Sequence, residues 1–118
     1  MKFYWYKDFL VTEEFKSSDR KNLRKINAGK KIEGMYLVML SQSDDTLFEI
    51  VPSSQMTQSF YNDKTGYVVG AALSKESAEL LASRIAATYY ADYRDGNIKD
   101  FYKGGFMEKP NLFNVRAV

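Results

Sequence analysis

Residues 67–73, "YVVGAAL", are apolar at seven consecutive positions and run straight into "SKESAELLASRIAATYY". A strand with one wet face alternates apolar and polar side chains, whereas a continuously apolar strand needs cover on both faces. The serine that follows, Ser74, suits a helix N-cap, and the periodicity predicts a helix from Lys75 to about Arg94, stopped by Asp95, Gly96 and Asn97. At 3.6 residues per turn, Ala78, Leu81, Ala82, Ile85, Ala86, Tyr89 and Tyr93 share one face. This is the stripe that covers one side of the strand. The same order of strand, glycine turn and helix start also opens phosphate-binding loops. Here it lacks Gly-x-Gly spacing and a Gly-Lys-Ser/Thr motif, and Glu76 and Glu79 put negative charge where an anion would sit. The stretch reads as scaffold.

The rest of the chain supplies partners for that strand. "MYLVML" and "LFEIV", residues 35–40 and 47–51, read as a hairpin turned by "SQSDD" and ended by Pro52. "YNDKTG" is a second turn, with Gly66 suited to a left-handed backbone. The aromatic opening, "KFYWYKDFLVTEEF", has the composition of one or two short strands. "DRKNLRKINAG" then reads as a short helix capped by Ser18 and stopped by Gly29. The expected architecture is α+β: an antiparallel sheet of three to five strands, one long C-terminal helix packed across it, and a short basic helix near the N-terminus. Residues 1–103 form a single domain in this reading, with a short ordered piece near 98–102. Residues 104–118, with a Gly-Gly pair and a proline, form a weakly ordered tail.

This succession resembles a group of small uncharacterised bacterial proteins in which a hairpin leads to a "vvG-x-A" strand and then an Ala/Leu-rich helix. Tyr36, Leu40, Leu47, Glu49, Ile50, Tyr61, Val69, Gly70, Ala72, Ala78, Leu81 and Ile85 carry the likeness. It spans roughly residues 3–102 as an order of elements and stops before the tail. It implies a fold and no catalytic residue, because the group has no established activity.

Chemistry is constrained by two absences. The 118 residues include no cysteine and no histidine. That removes disulfide frameworks, Ser-His and Cys-His nucleophile pairs, the usual zinc sites and imidazole acid–base catalysis. The expectation is therefore a protein that is not an enzyme and uses no cofactor or metal. The opening residues have no apolar core of signal-peptide length, and no apolar run approaches the roughly 18 residues of a membrane span, so a cytoplasmic setting without membrane contact is expected. Of the adjacent carboxylates, Glu13 and Glu14 would point to opposite faces of a strand, and Asp44 and Asp45 fall in a turn that favours Asp. Neither pair has metal-loop spacing.

Two surfaces remain. In "KSSDRKNLRKINAGKK", seven cations against the single acid Asp19 give this segment +6 and leave −4 on the rest of a +2 chain. Arg20, Lys21, Arg24 and Lys25 oppose Leu23 and Ile26 on the helix, and Lys30 and Lys31 follow it. With Phe3, Tyr4, Trp5, Tyr6 and Phe9 nearby in sequence, this pairs cations for phosphates with rings for bases. The bland alternative is a solvated helix face. The second surface is the stripe Leu80, Ala87 and Ala91, opposite the core face of the long helix. That stripe, together with strands apolar on both faces, points to a protein partner or a second copy in a homodimer. A protein-interaction or regulatory module is the leading reading, a nucleic-acid-associated module is the alternative, and an aromatic small-molecule pocket ranks third.

Overall fold

A computed structural model describes residues 1–42, 46–55, 64–92, 102, 104–112 and 116–117. In chain order these form β1 (Lys2–Val11), α1 (Ser17–Asn27), β2 (Tyr36–Leu40), β3 (Phe48–Pro52), a short 3-10 turn (Ser53–Gln55), β4 (Thr65–Ala72), α2 (Lys75–Asp92), β5 (Phe106–Met107) and β6 (Arg116–Ala117). The fold is α+β. Among the described residues the sheet runs β3-β2-β4-β1-β5, with β6 on β1 beside that path. The hairpin of β2 and β3 is antiparallel, as is β2 with β4. The expected antiparallel order fails at two junctions: β1 runs parallel to the short β6 and, within the main path of the sheet, parallel to β4. A parallel pair cannot be closed by a tight turn; here α1, β2 and β3 all intervene between β1 and β4.

The continuously apolar strand is β4, and it lies at the centre. Val68 and Ala71 enter a core with Phe3, Trp5, Phe9, Val11, Leu23, Ile26, Leu37 and Met39, roofed by α1. Val69 and Ala72 enter a second core with Val38, Leu40, Ala78, Leu81, Ile85 and Tyr89, roofed by α2. The faces of α2 divide as the periodicity requires, with Ala78, Leu81, Ile85 and Tyr89 buried and Ala82 and Ala86 half-buried. Ser74 caps this helix: its Oγ accepts the Ser77 N–H at 3.1 Å and its carbonyl accepts the Ala78 N–H at 3.0 Å. Both faces of the sheet are thus covered by the chain itself.

A bulge sets the depth of α2. On β2, Val38 pairs with Gly70 and Met39 with Val68, so Val69 is the extra residue; the β1 register also breaks between Val68 and Gly70. Val69 and Gly70 consequently both face α2. A Cβ on Gly70 would stand 2.9 Å from Leu81 Cδ2 and 3.2 Å from the Leu10 carbonyl oxygen. The absent side chain is where Leu81 seats.

Three expectations are corrected. Gly66 lies inside β4 without a positive φ, and a Cβ there would meet Met39 Sδ at 2.6 Å, so its small size serves packing against Met39 rather than a left-handed turn. Helix α1 begins one residue before Ser18, and no Ser18 cap forms; the Asp19 carboxylate instead accepts the Lys16 N–H at 2.9 Å. Residues expected as a loose tail join the sheet: Phe106 and Met107 pair antiparallel with Tyr6 and Trp5, and Arg116 and Ala117 pair parallel with Leu10 and Val11. The turn residues Ser43, Asp44 and Asp45, most of "YNDKTG", Tyr61 and Tyr93, the helix stop at 95–97 and the piece at 98–101 lie outside the described residues.

Gly70→Ala should destabilise the domain by about 1–3 kcal/mol, because Leu81 is buried and the Leu10 carbonyl belongs to the sheet, so neither yields freely. Urea unfolding should show a lower midpoint with an unchanged slope. An unchanged midpoint would mean that α2 does not rest on Gly70.

Candidate interaction surfaces

Helix α1 is held rigidly before any of its cations matters. Leu23 and Ile26 are buried against the sheet. At its end Gly29, with φ +87°, donates to the Ile26 carbonyl at 3.0 Å, and Lys30 donates to the Lys25 carbonyl at 2.9 Å. These two bonds are a Schellman stop, which glycine favours because it adopts the left-handed backbone without strain. Asn27 ties the last turn down twice. Its Oδ1 accepts the Trp5 indole N–H at 2.8 Å, and its Nδ2 donates to the Glu108 carbonyl at 3.1 Å.

Lys16, Lys21, Arg24, Lys25, Lys30 and Lys31 are exposed. Arg20, expected among them, is half-buried, and its Nε is enclosed with no hydrogen-bond partner among the described residues. Lys31 faces Glu33 at 3.9 Å; no carboxylate pairs with Lys21, Arg24, Lys25 or Lys30 among the described residues. A cleft of about 460 Å³ near the N-terminus is lined by Met1, Met39 and Ile50, and one of about 570 Å³ lies beside α1. The latter brings Lys109 and Pro110 against Arg24, Asn27 and Ala28. Sequence reading missed Lys109, because nothing local links it to a helix about eighty residues earlier; the Asn27–Glu108 bond does.

The rings expected beside these cations are elsewhere. Phe3, Trp5 and Phe9 are buried beneath α1, with Trp5 centroids 5.7 Å from both phenylalanines. Tyr4 and Tyr6 point to the α2 side. There Tyr4 stacks on Tyr67 at 5.5 Å, Phe106 meets Tyr67 edge-on at 5.1 Å, and Tyr6 meets Tyr102 edge-on at 4.7 Å. Burial pushes the Tyr102 phenol well above the ordinary tyrosine range, with Tyr6 adding to the shift. Tyr6 is raised for the same reason, with Asp8 contributing.

On the outer side of α2, Leu80 is 68% exposed and Tyr90 55%, and Ala87 and Ala91 are exposed with them. The stripe is therefore surface, as its spacing requires. Beside Leu80 a cleft of about 190 Å³ is lined by Thr12, Glu13, Glu14, Ser77, Leu81 and Arg84. Glu13 and Glu14 occupy a turn after β1 rather than opposite faces of a strand. The Glu14 carboxyl is held below its usual range chiefly by its own backbone N–H. Among the described residues no three metal-binding side chains cluster, and no helix is long and apolar enough to cross a membrane. No protein-family model, curated protein or solved structure matches this chain.

The single tryptophan makes the Asn27 anchor testable. Asn27→Leu strands a buried indole N–H and should cost about 1–3 kcal/mol, with a shifted Trp5 emission maximum in the still-folded protein. Unchanged emission and stability would remove the anchor. Alkaline pH tests the tyrosine cluster. The raised Tyr102 pKa favours the neutral phenol in the fold, so its contribution is complete below about pH 10, the unfolded value, and declines as pH rises above it. Melting temperature should fall above about pH 10 and fall less steeply in Tyr102→Phe. Equal slopes for the two proteins would exclude the effect.

Proposed function

We propose that this chain is a non-enzymatic, cytoplasmic protein-interaction module that self-associates through the outer face of α2. The supporting observation is the exposure of Leu80 and Tyr90 on one side of a helix whose other side is fully engaged. Both faces of the sheet are covered from within, so the apolar strands no longer call for a second copy and the reading rests on α2 alone. Leu80, Ala87 and Tyr90 recur at the spacing of a helix–helix seam. In an antiparallel pair centred between Ser83 and Arg84, Leu80 of each copy lies opposite Ala87 of the other. A large side chain then meets a small one at both ends, and the alanines admit close approach.

Magnitude limits the strength of such a pair. Eighteen residues span about 27 Å and present a strip about 10 Å wide, roughly 300 Å² in projection. Stable interfaces bury about 800 Å² per partner. The pair is therefore weak and concentration-dependent unless the neighbouring turn at Glu13 and Glu14 contributes. Light scattering should show a mass rising above 13.6 kDa across micromolar concentrations. Leu80→Arg should abolish that rise without lowering the melting temperature by more than about 2 °C, since surface changes cost about 0.5 kcal/mol or less. Leu81→Arg places an unpaired charge in the core and should unfold the domain. A wild-type mass of 13.6 kDa throughout would remove self-association from this reading.

A further inference from the structure

We infer that the α1 surface, completed by Lys109, is a binding site for the phosphate backbone of duplex nucleic acid, read without regard to sequence. Four observations carry it. The first is uncompensated charge: Lys21, Arg24 and Lys25 project from α1 with no carboxylate partner among the described residues. The second is convergence. Asn27 seats the Glu108 carbonyl against the last turn, and Lys109 thereby shares a cleft of about 570 Å³ with Arg24. The acid beside it, Glu108, is directed to Lys2 at 3.7 Å, and no carboxylate pairs with Lys109 among the described residues. The third is rigidity, since buried Leu23 and Ile26 and the Gly29 stop hold the cations on a fixed helix. Helical rise sets Lys21 and Lys25 about 6 Å apart along the axis.

The fourth is what the surface lacks. Charge alone holds a helix weakly at an anionic membrane, and firm docking adds an inserted apolar face; that of α1 is consumed by the core. A protein partner would need an apolar centre, yet Leu80 and Tyr90 lie on α2, across the sheet. Met107 is exposed near Lys109 in sequence, but single exposed apolar side chains are ordinary. Single strands are gripped by stacking bases on rings, and Phe3, Trp5 and Phe9 are buried beneath the helix. Charge without rings or apolar contact suits a duplex backbone.

The test uses the full chain with a labelled duplex, a second duplex of scrambled sequence, one of the component single strands, and phosphatidylserine vesicles, at several salt concentrations. Four phosphate contacts, from Lys21, Arg24, Lys25 and Lys109, predict a log–log salt slope of about −3.6 on duplex. The two duplexes should bind within about twofold of each other. Lys109→Glu and, separately, Arg24→Glu should each weaken binding about tenfold at low salt and reduce the slope by about 1, with melting curves unchanged because both side chains are exposed. Lys75→Glu, on the opposite side of the sheet, should bind as wild type does. No duplex binding at low salt would overturn the proposal. So would duplex binding indifferent to both Lys109→Glu and Arg24→Glu, tighter binding to the single strand, or binding to vesicles alone. Leu80→Arg, which addresses self-association, should leave duplex binding in place, so the two proposals fail separately.

Discussion

A central strand without a polar face is the constraint from which this structure follows. β4 is buried on both sides and hydrogen-bonded on both edges, to β2 and to β1. Its apolar side chains need two roofs, and the chain supplies them at different distances in sequence. The near roof is α2, which begins three residues after β4 ends. The far roof is α1 with the aromatic side chains of β1, set down before β4 is reached. Small residues make the arrangement possible: Gly70, Ala71 and Ala72 keep the strand thin, and the bulge at Val69 lets Leu81 settle on the backbone. Such close approach is felt strongly, because cores pack at near-crystalline density.

Once β4 is satisfied, the two helices have each spent one face, and their remaining faces point in opposite directions. That of α1 carries lysines and an arginine; that of α2 carries Leu80, two alanines and Tyr90. The chemistries are segregated across the sheet, so occupation of one does not obstruct the other. In the proposed readings a weak pair formed through α2 would display two basic surfaces outward. A bivalent arrangement of that kind raises effective affinity for a long polyanion without any added contact.

The aromatic content, 15% of the chain, is used chiefly as structure. Phe3, Trp5 and Phe9 fill the space beneath α1. Tyr4, Tyr6, Tyr67, Tyr102 and Phe106 gather on the other face, around β1 and β5, while α2 packs on β2, β3 and β4. Tyrosine suits that border, since an apolar ring can be buried while its hydroxyl seeks a polar partner. Rings that looked like a base-stacking platform in sequence are divided by strand alternation between the two cores.

What the sequence determined by itself was local: the doubly apolar strand, the Ser74 cap, the core face of α2, the Gly29 stop, the hairpin of β2 and β3, and the outward stripe with Leu80. Each depends on periodicity or on a side chain within a few residues of its partner, and such information is complete in a short window. The tertiary structure alone decided the rest. It set β1 parallel to β4, placed β5 and β6 on β1, turned Gly66 from a turn residue into a packing one, and enclosed the Arg20 Nε. Above all it brought Lys109 to Arg24 through a hydrogen bond spanning 81 residues. Pairing between distant segments depends on which edges and faces are left unsatisfied when the core closes, a property of the whole chain that no local pattern encodes.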